Sequence, residues 1–384
     1  MDPVIQLGKA IGMSKVRKML TQALDHGIES VPDAPKELVS LFSHLDRKPE
    51  WFNEDDYERG RIALANASPI GRLVGLAMTF LVTAQAGSVA NAVGSTAQYT
   101  RTSTVIRRHV ETAHFFHRVS LPGGSARFSE TFQEIVKVRV MHAQVRAAAK
   151  KRWGPAVLAI HGNPISDADV ALGITAFGVQ KLIGDCAFGR RFSSQDLDAT
   201  VRYWGYIGYV MGVSEDIIPR NFLEGVEEMD YILSSHGAPP DWSPRIADSL
   251  LLMLEEPIKL ADSAIKRWMF RAIILPFFHG LLYHFSGDEL GYRFLSVRYK
   301  SRVCMRMTAF YAVIVAQFIV CLWTLGDLLP GREAQVRKQA VEGGRGEKMV
   351  LDLLQRAAKK IQHDDCMFTT HDQSVPSELG AVRI

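Results

Sequence analysis

The chain has 384 residues, 47% of them apolar and 22% charged, with 45 Lys and Arg against 41 Asp and Glu for a net charge of +4. Such a chain can bury a substantial core, and its composition excludes wholesale disorder, a fibre and a disulfide scaffold. The charge is too small to argue for a nucleic-acid partner. Cys186, Cys304, Cys321 and Cys366 form no C-x-x-C pair, which argues against thiolate zinc and iron–sulfur sites and suits a reducing compartment. The N-terminal stretch MDPVIQLGKAIGMSKVRKML lacks an apolar run followed by a small-residue cleavage site. The expectation is a cytoplasmic protein without a signal peptide.

Helical spacing dominates, sustained strict alternation is scarce, and there is no internal repeat, so the fold class expected is all-α. Residues 1–55 are comparatively charged and read as an N-terminal helical extension, residues 56–330 as one main helical domain, and residues 331–384 as a C-terminal helix and loose tail. The first helix with chemical content spans Thr102–Val119, where Val105, Arg108, Thr112, Phe115 and Val119 share one stripe. An arginine on an apolar face needs an anionic or strongly polar partner. That partner is either a structural Asp or Glu, or a bound ligand to which Arg108 and Thr112 present donors.

Glu111-x-x-His114 on the same helix has di-iron carboxylate spacing, but no second copy occurs in the chain. His114-x-x-His117 has metal-compatible spacing and points away from the Arg108/Thr112 stripe. The next helix, Ala126–Trp153, places Phe128, Ile135, Val138, Val145 and Ala149 on one stripe that includes His142, with Arg139 and Arg146 bordering it. Such a histidine is either a core residue bonded to a backbone carbonyl or an axial ligand to haem iron. In the second case the two arginines are placed to neutralise haem propionates.

Ser166 with Asp169 reads as an N-cap and acidic first turn opening a helix toward Gly184. Met307–Asp327 carries no charge before Asp327 and is nearly long enough to span a bilayer. A buried central helix has the same signature and is the favoured expectation, with a peripheral membrane contact left open. No phosphate-binding glycine loop, His-Glu-x-x-His or Gly-x-Ser-x-Gly motif occurs, so nucleotide, zincin and α/β-hydrolase chemistry have little support.

The run Val138-Arg139-Val140-Met141-His142-Ala143-Gln144-Val145-Arg146 is followed by Trp153 and by Gly162-Asn163-Pro164-Ile165-Ser166-Asp167-Ala168-Asp169. Thr175, Phe177, Tyr203-Trp204-Gly205-Tyr206-Ile207-Gly208, Gly212-Val213 and Pro219 then follow in order. Together these motifs resemble the latex-clearing protein (rubber oxygenase) family, which includes the fungal membrane-bound oxygenase of mycophenolic acid biosynthesis. The resemblance implies an all-helical fold around one b-type haem and oxidative cleavage of isoprenoid double bonds with dioxygen. It implies that His142 is the proximal ligand, and that the distal Arg-x-x-Lys-Thr stretch falls on Arg108, Glu111 and Thr112. The family's distal lysine is Glu111 here, and no acid lies near Ser88–Ser95 to match its upstream glutamate. The expectation is therefore a haem b oxygenase-like enzyme for a hydrophobic substrate and dioxygen, with Arg108, Thr112 and Glu111 catalytic and His142, Arg139 and Arg146 binding the cofactor. The alternative is a non-enzymatic haem or hydrophobic-ligand carrier on the same fold.

Overall fold

The computed structural model describes residues 2–94, 102–236, 251, 263–296, 298–341, 348, 351, 352, 355 and 356. These residues are helical throughout, with no strand among them. The chain opens with α1 (Asp2–Ile11), α2 (Met13–His26) and α3 (Lys36–Asp46). Then come α4 (Glu54–Ala65), α5 (Pro69–Gln85), α6 (Gly87–Gly94) and α7 (Thr102–Val119). The centre of the molecule is α8 (Glu130–His161), α9 (Asp167–Ala187) and α10 (Ser194–Met211), followed by α11 (Phe222–Ser235). A second group comprises α12 (Ala264–Met269), a π turn at Phe270–Ile274, α13 (Leu275–Leu295), α14 (Arg302–Asp327) and α15 (Arg332–Val341).

Local sequence sets most of the boundaries. Asn53, Ser129, Ser193 and Asn221 each accept a hydrogen bond from a backbone N–H of the first turn of the helix they precede. The capping box expected at Ser166 is present, with Ser166 and Asp169 satisfying each other's backbone N–H. Helix α7 has the bounds the sequence predicts. Helix α8 begins later than expected, so Phe128 precedes it and is exposed rather than packed on the apolar stripe. Gly154, in left-handed backbone, and Pro155 break α8 near its end.

One core joins α1–α3 to α8, α9 and α10: Val16, Leu20, Leu38 and Phe42 belong to the same cluster as Phe132, Ile135, Leu172 and Ile207. Residues 1–55 therefore pack against the central helices rather than hanging from them. Fully burying a Leu or Ile side chain contributes ~1.5–3 kcal/mol, which makes this cluster the main source of stability. Helix α5 lies close against α9 because Gly71 sits on the Lys181 carbonyl and Gly184 sits on Val74, where a Cβ would collide.

Helices α13 and α14 pair by the same device, Gly280 meeting the Thr308 carbonyl. Here one expectation is overturned. Helix α14 is not a buried central helix: Met305, Ala309, Ala312, Ala316 and Val320 face inward, while Met307, Phe310, Ile314, Phe318, Leu322 and Leu325 are exposed. Among the described residues, α14 and α9 are the two single helices long and apolar enough to cross a membrane, and most of α9 is buried. The tail beyond Asp364 lies outside the described residues.

A buried ion network ties the groups together. Asp185, fully enclosed, accepts hydrogen bonds from the Ser68 backbone N–H (2.8 Å), the Ser68 hydroxyl and Arg190 (2.9 Å). Arg190 also donates to the Asn66 carbonyl (2.6 Å) and pairs with Asp327 (2.9 Å) at the end of α14. Removing one member leaves Asp185 charged without its cation. We expect Arg190→Met to cost ~3–5 kcal/mol, read as a lowered urea midpoint. An unchanged midpoint would show that the network does not hold the two groups.

Candidate functional site

A cavity of about 210 Å³ lies between α6, α7, α8, α9 and α10. Its walls are mostly apolar, including Val89, Val93, Phe115, Val145, Val170 and Phe177, with Trp204 and Met211 contributed by α10. Phe177 is held by aromatic contacts to Phe116 (4.6 Å between centroids) and Trp204 (5.1 Å). Arg108, His142 and Asp169 are the ionisable residues among those lining it.

His142 is on the wall, as the α8 stripe predicts, and its accessible surface belongs to the cavity. Among the described residues it makes no hydrogen bond, so it is not a core histidine satisfied by a carbonyl. Burial first, then the positive charges of Arg108 and Arg146, push its pKa down to about 4. The ring is therefore neutral at physiological pH.

Arg108 reaches the same cavity from α7 and is held from behind by its own helix. Its Nη1 pairs with Glu111 Oε2 at 2.6 Å, and Glu111 Oε1 also accepts from Arg107 Nε at 3.1 Å. Glu111 is buried and does not line the cavity. Arg108 thus has the structural carboxylate partner of the first reading, and it also faces the cavity. Thr112 stands back from the cavity, its hydroxyl donating to the Arg108 carbonyl at 2.9 Å. Val105, expected on the same stripe, has a side chain outside the described ones.

The two arginines beside His142 have different positions from those expected. Arg146 donates to the Pro164 and Ile165 carbonyls, its Nη2 lying 2.6 Å from the latter. Ile165 lines the cavity with φ +51°, a conformation β-branched residues avoid, and the Arg146 clamp is what holds it there. Arg139 points to the end of α10, donating to the Val210 carbonyl at 2.9 Å and covering Gly212. Gly212, at φ +91°, closes α10 in left-handed backbone, and any side chain there would strike the Arg139 guanidinium. Arg139 does not line the cavity.

The other metal-site alternatives find no support. His114 faces Gln355 at 2.9 Å, and no group of three metal-binding side chains occurs among the described residues. The tyrosines of the Tyr203–Gly208 motif serve the scaffold: Tyr203 donates to the Val119 carbonyl, and Tyr206 to the Ser125 carbonyl at 3.2 Å.

Sequence reasoning missed Asp169 as a cavity group. Besides capping α9, it accepts hydrogen bonds from Ser88 on α6 and from His236 at the end of α11, the latter at 3.0 Å. An acid thus stands beside Ser88 after all, supplied by a different helix. Burial works to raise the Asp169 pKa, but its bonds from His236, Ser88 and the Ser166 backbone bring it below the usual carboxylate value. Nothing local in the sequence distinguishes it from an ordinary capping aspartate.

A mostly apolar cavity lined by a guanidinium and by an imidazole without a hydrogen-bond partner among the described residues, inside a helical scaffold, is a candidate ligand- or cofactor-binding site. The family described as ER-bound oxygenase mpaB/B'/rubber oxygenase, catalytic domain, matches residues 59–315, and the chain belongs to that family. A solved structure, latex clearing protein LCP in the closed state, shares the fold with a TM-score of 0.60. Its sequence is 19% identical, and the match covers 93% of this chain and 88% of that one. No curated protein sequence matches the chain.

The Arg108–Glu111 pair is testable without any ligand. Glu111→Leu leaves Arg108 uncompensated beside the cavity and is expected to destabilise by ~3 kcal/mol, while adding Arg108→Leu recovers much of that loss. Additive effects in a urea double-mutant cycle would show that the two side chains do not act as a pair.

Proposed function

We propose that the chain is a haem b-dependent oxygenase acting with dioxygen on a hydrophobic, isoprenoid- or lipid-like substrate, with His142 as the iron ligand. The observation that carries this reading is the imidazole itself. It is neutral at physiological pH and without a partner among the described residues, and it faces an apolar cavity. A neutral imidazole with an unclaimed lone pair is the donor that haem iron takes from a helical pocket. The donor set therefore fits the group, and membership of an oxygenase family supports the oxygenase part. When bound, the haem would supply dioxygen activation and carbon–carbon bond cleavage.

The protein's share follows from the residues around the cavity. His142 would hold the group from α8. Arg108, its charge fixed at the wall by the Glu111 carboxylate, would donate hydrogen bonds to oxygen atoms as negative charge grows on them. Arg146 would keep Ile165 in the wall, and the apolar lining would exclude water. Glu111 would act by positioning Arg108, since its carboxylate is buried behind the wall. Thr112 would contribute a second donor only on releasing the Arg108 carbonyl.

Purified protein supplied with haem is expected to show a Soret band that is lost in His142→Ala, and its aerobic reaction with isoprenoids is expected to yield carbonyl products by mass spectrometry. Absence of the band in the wild type would sink the haem reading. A band without oxygen incorporation would favour a carrier.

The outer face of α14 supports a membrane-associated location. Phe310, Ile314 and Phe318 are more than half exposed, and Ile265 and Trp268 of α12 are exposed beside Lys266 and Arg267. An outward row of bulky apolar side chains on one helix, and exposed Trp and basic residues on another, suit a lipid interface. The protein is expected to float with anionic phospholipid vesicles, and the variant with Asn at 310, 314 and 318 to remain unbound. Equal flotation of both, or a dimer held by this face, would refute attachment through α14.

A further inference from the structure

We propose that His236 and Asp169 form a proton-dependent latch behind the cavity wall: the proton they share holds the end of α11 on the first turn of α9, and its loss frees the wall residue Asp169 from α11. This extends the reading of the cavity as the functional site to its regulation.

Hydrogen-bond bookkeeping leads to the shared proton. His236 Nδ1 lies 2.7 Å from the Ile232 carbonyl oxygen, which can only accept, so Nδ1 carries a hydrogen. Nε2 of the same ring lies 3.0 Å from Asp169 Oδ1. A neutral ring with its hydrogen on Nδ1 would turn a lone pair toward a carboxylate. A hydrogen must therefore lie between Nε2 and Oδ1, and the pair is an imidazolium facing a carboxylate. Both side chains are largely enclosed, at 8% and 6% exposure, so water screens their attraction poorly.

Position in the fold reinforces the charges. Asp169 stands in the first turn of α9, where the helix dipole favours an anion, and His236 stands at the end of α11, where it favours a cation. Asp169 also accepts from Ser88 on α6, the helix that contributes Val89 and Val93 to the cavity. One carboxylate thus joins α9 to α6 and to the end of α11, while lining the cavity itself.

His161, at the end of α8, is the remaining titratable group facing the pair among the described residues. Burial and the His236 charge lower its pKa, and its Nδ1 is buried without a partner, so it stays neutral and does not compete for the proton. The Asp169 hydrogen bond raises the His236 pKa against the effect of burial.

The sign of the linkage follows. A histidine whose folded pKa is raised contributes stability below its unfolded value, and that contribution fades as pH rises through the folded value. The Asp169 contribution, with its pKa lowered, fades only as pH falls through that depressed value. The latch is closed between the two and opens on the alkaline side.

The test uses the full chain, with haemin as the cavity probe. In histidine-labelled protein, NMR should find His236 titrating above the ordinary value of about 6.5, and Asp169→Asn should move it down. Hydrogen exchange at the end of α11, and haemin release, should both accelerate as pH rises through that midpoint, while exchange in α6, tied by the Ser88 hydroxyl, should not. The acceleration should be about tenfold for each pKa unit that Asp169 adds. His236→Gln keeps a donor toward Asp169 but does not titrate, and should respond to pH with a flat profile. A His236 midpoint at or below the ordinary value, or a wild-type pH response in His236→Gln, overturns the latch. Failure of the wild type to bind haemin would count against the haem reading alone, because the NMR and exchange measurements decide the latch without it.

Discussion

An unpaired imidazole in an apolar wall is costly to keep, and the centre of this protein is arranged around keeping one. A buried polar group without a partner costs of order 1–3 kcal/mol. His142 has no partner among the described residues, although α7 and α9 bring Arg108 and Asp169 to the same cavity. The neighbouring charges are instead tied down. Arg108 is held by Glu111 and Arg146 by the carbonyls before α9, so neither collapses onto the ring, yet both keep it unprotonated. A ring that is neutral, unclaimed and open to a void keeps a lone pair free for a bound ligand. Ordinary core packing gives no reason to maintain that arrangement.

Much of this was legible in the sequence because helical periodicity carries it. The bounds of α7, the capping box at Ser166, and the inward placement of Arg108 and His142 all follow from residue spacing along single helices. What spacing cannot supply is which carbonyl or helix end lies opposite. Arg139 and Arg146 border His142 equally on a helical projection. One meets the end of α10 and the other the loop into α9, and only the crossing of α8 with those elements separates them.

Asp169 makes the same point in reverse. Its capping role is local and readable, whereas its place in the cavity wall depends on where α6 and α11 come to lie. Along the chain no acid lies near Ser88–Ser95. The structure brings one there across 81 residues, which no reading of a single segment could find.

Helices α9 and α14 show why apolar composition alone is ambiguous, and also what resolves it. Both are long and apolar enough to cross a membrane, yet α9 is surrounded by α5, α10 and α11, whereas α14 has one side against α13. On α14 the small residues Ala309, Ala312 and Ala316 face inward, with Ala312 against Gly280, and the bulky Phe310, Ile314 and Phe318 face outward. A helix at the surface of a water-soluble bundle turns large apolar side chains in and polar ones out. Small residues at the helix–helix contact with large apolar ones outside is the ordering that lipid favours, because packing rather than exclusion of water then joins the helices. Size order within an apolar stretch therefore carries information that mean hydropathy discards. On α14 it separates a core-facing side from a side suited to a non-aqueous neighbour.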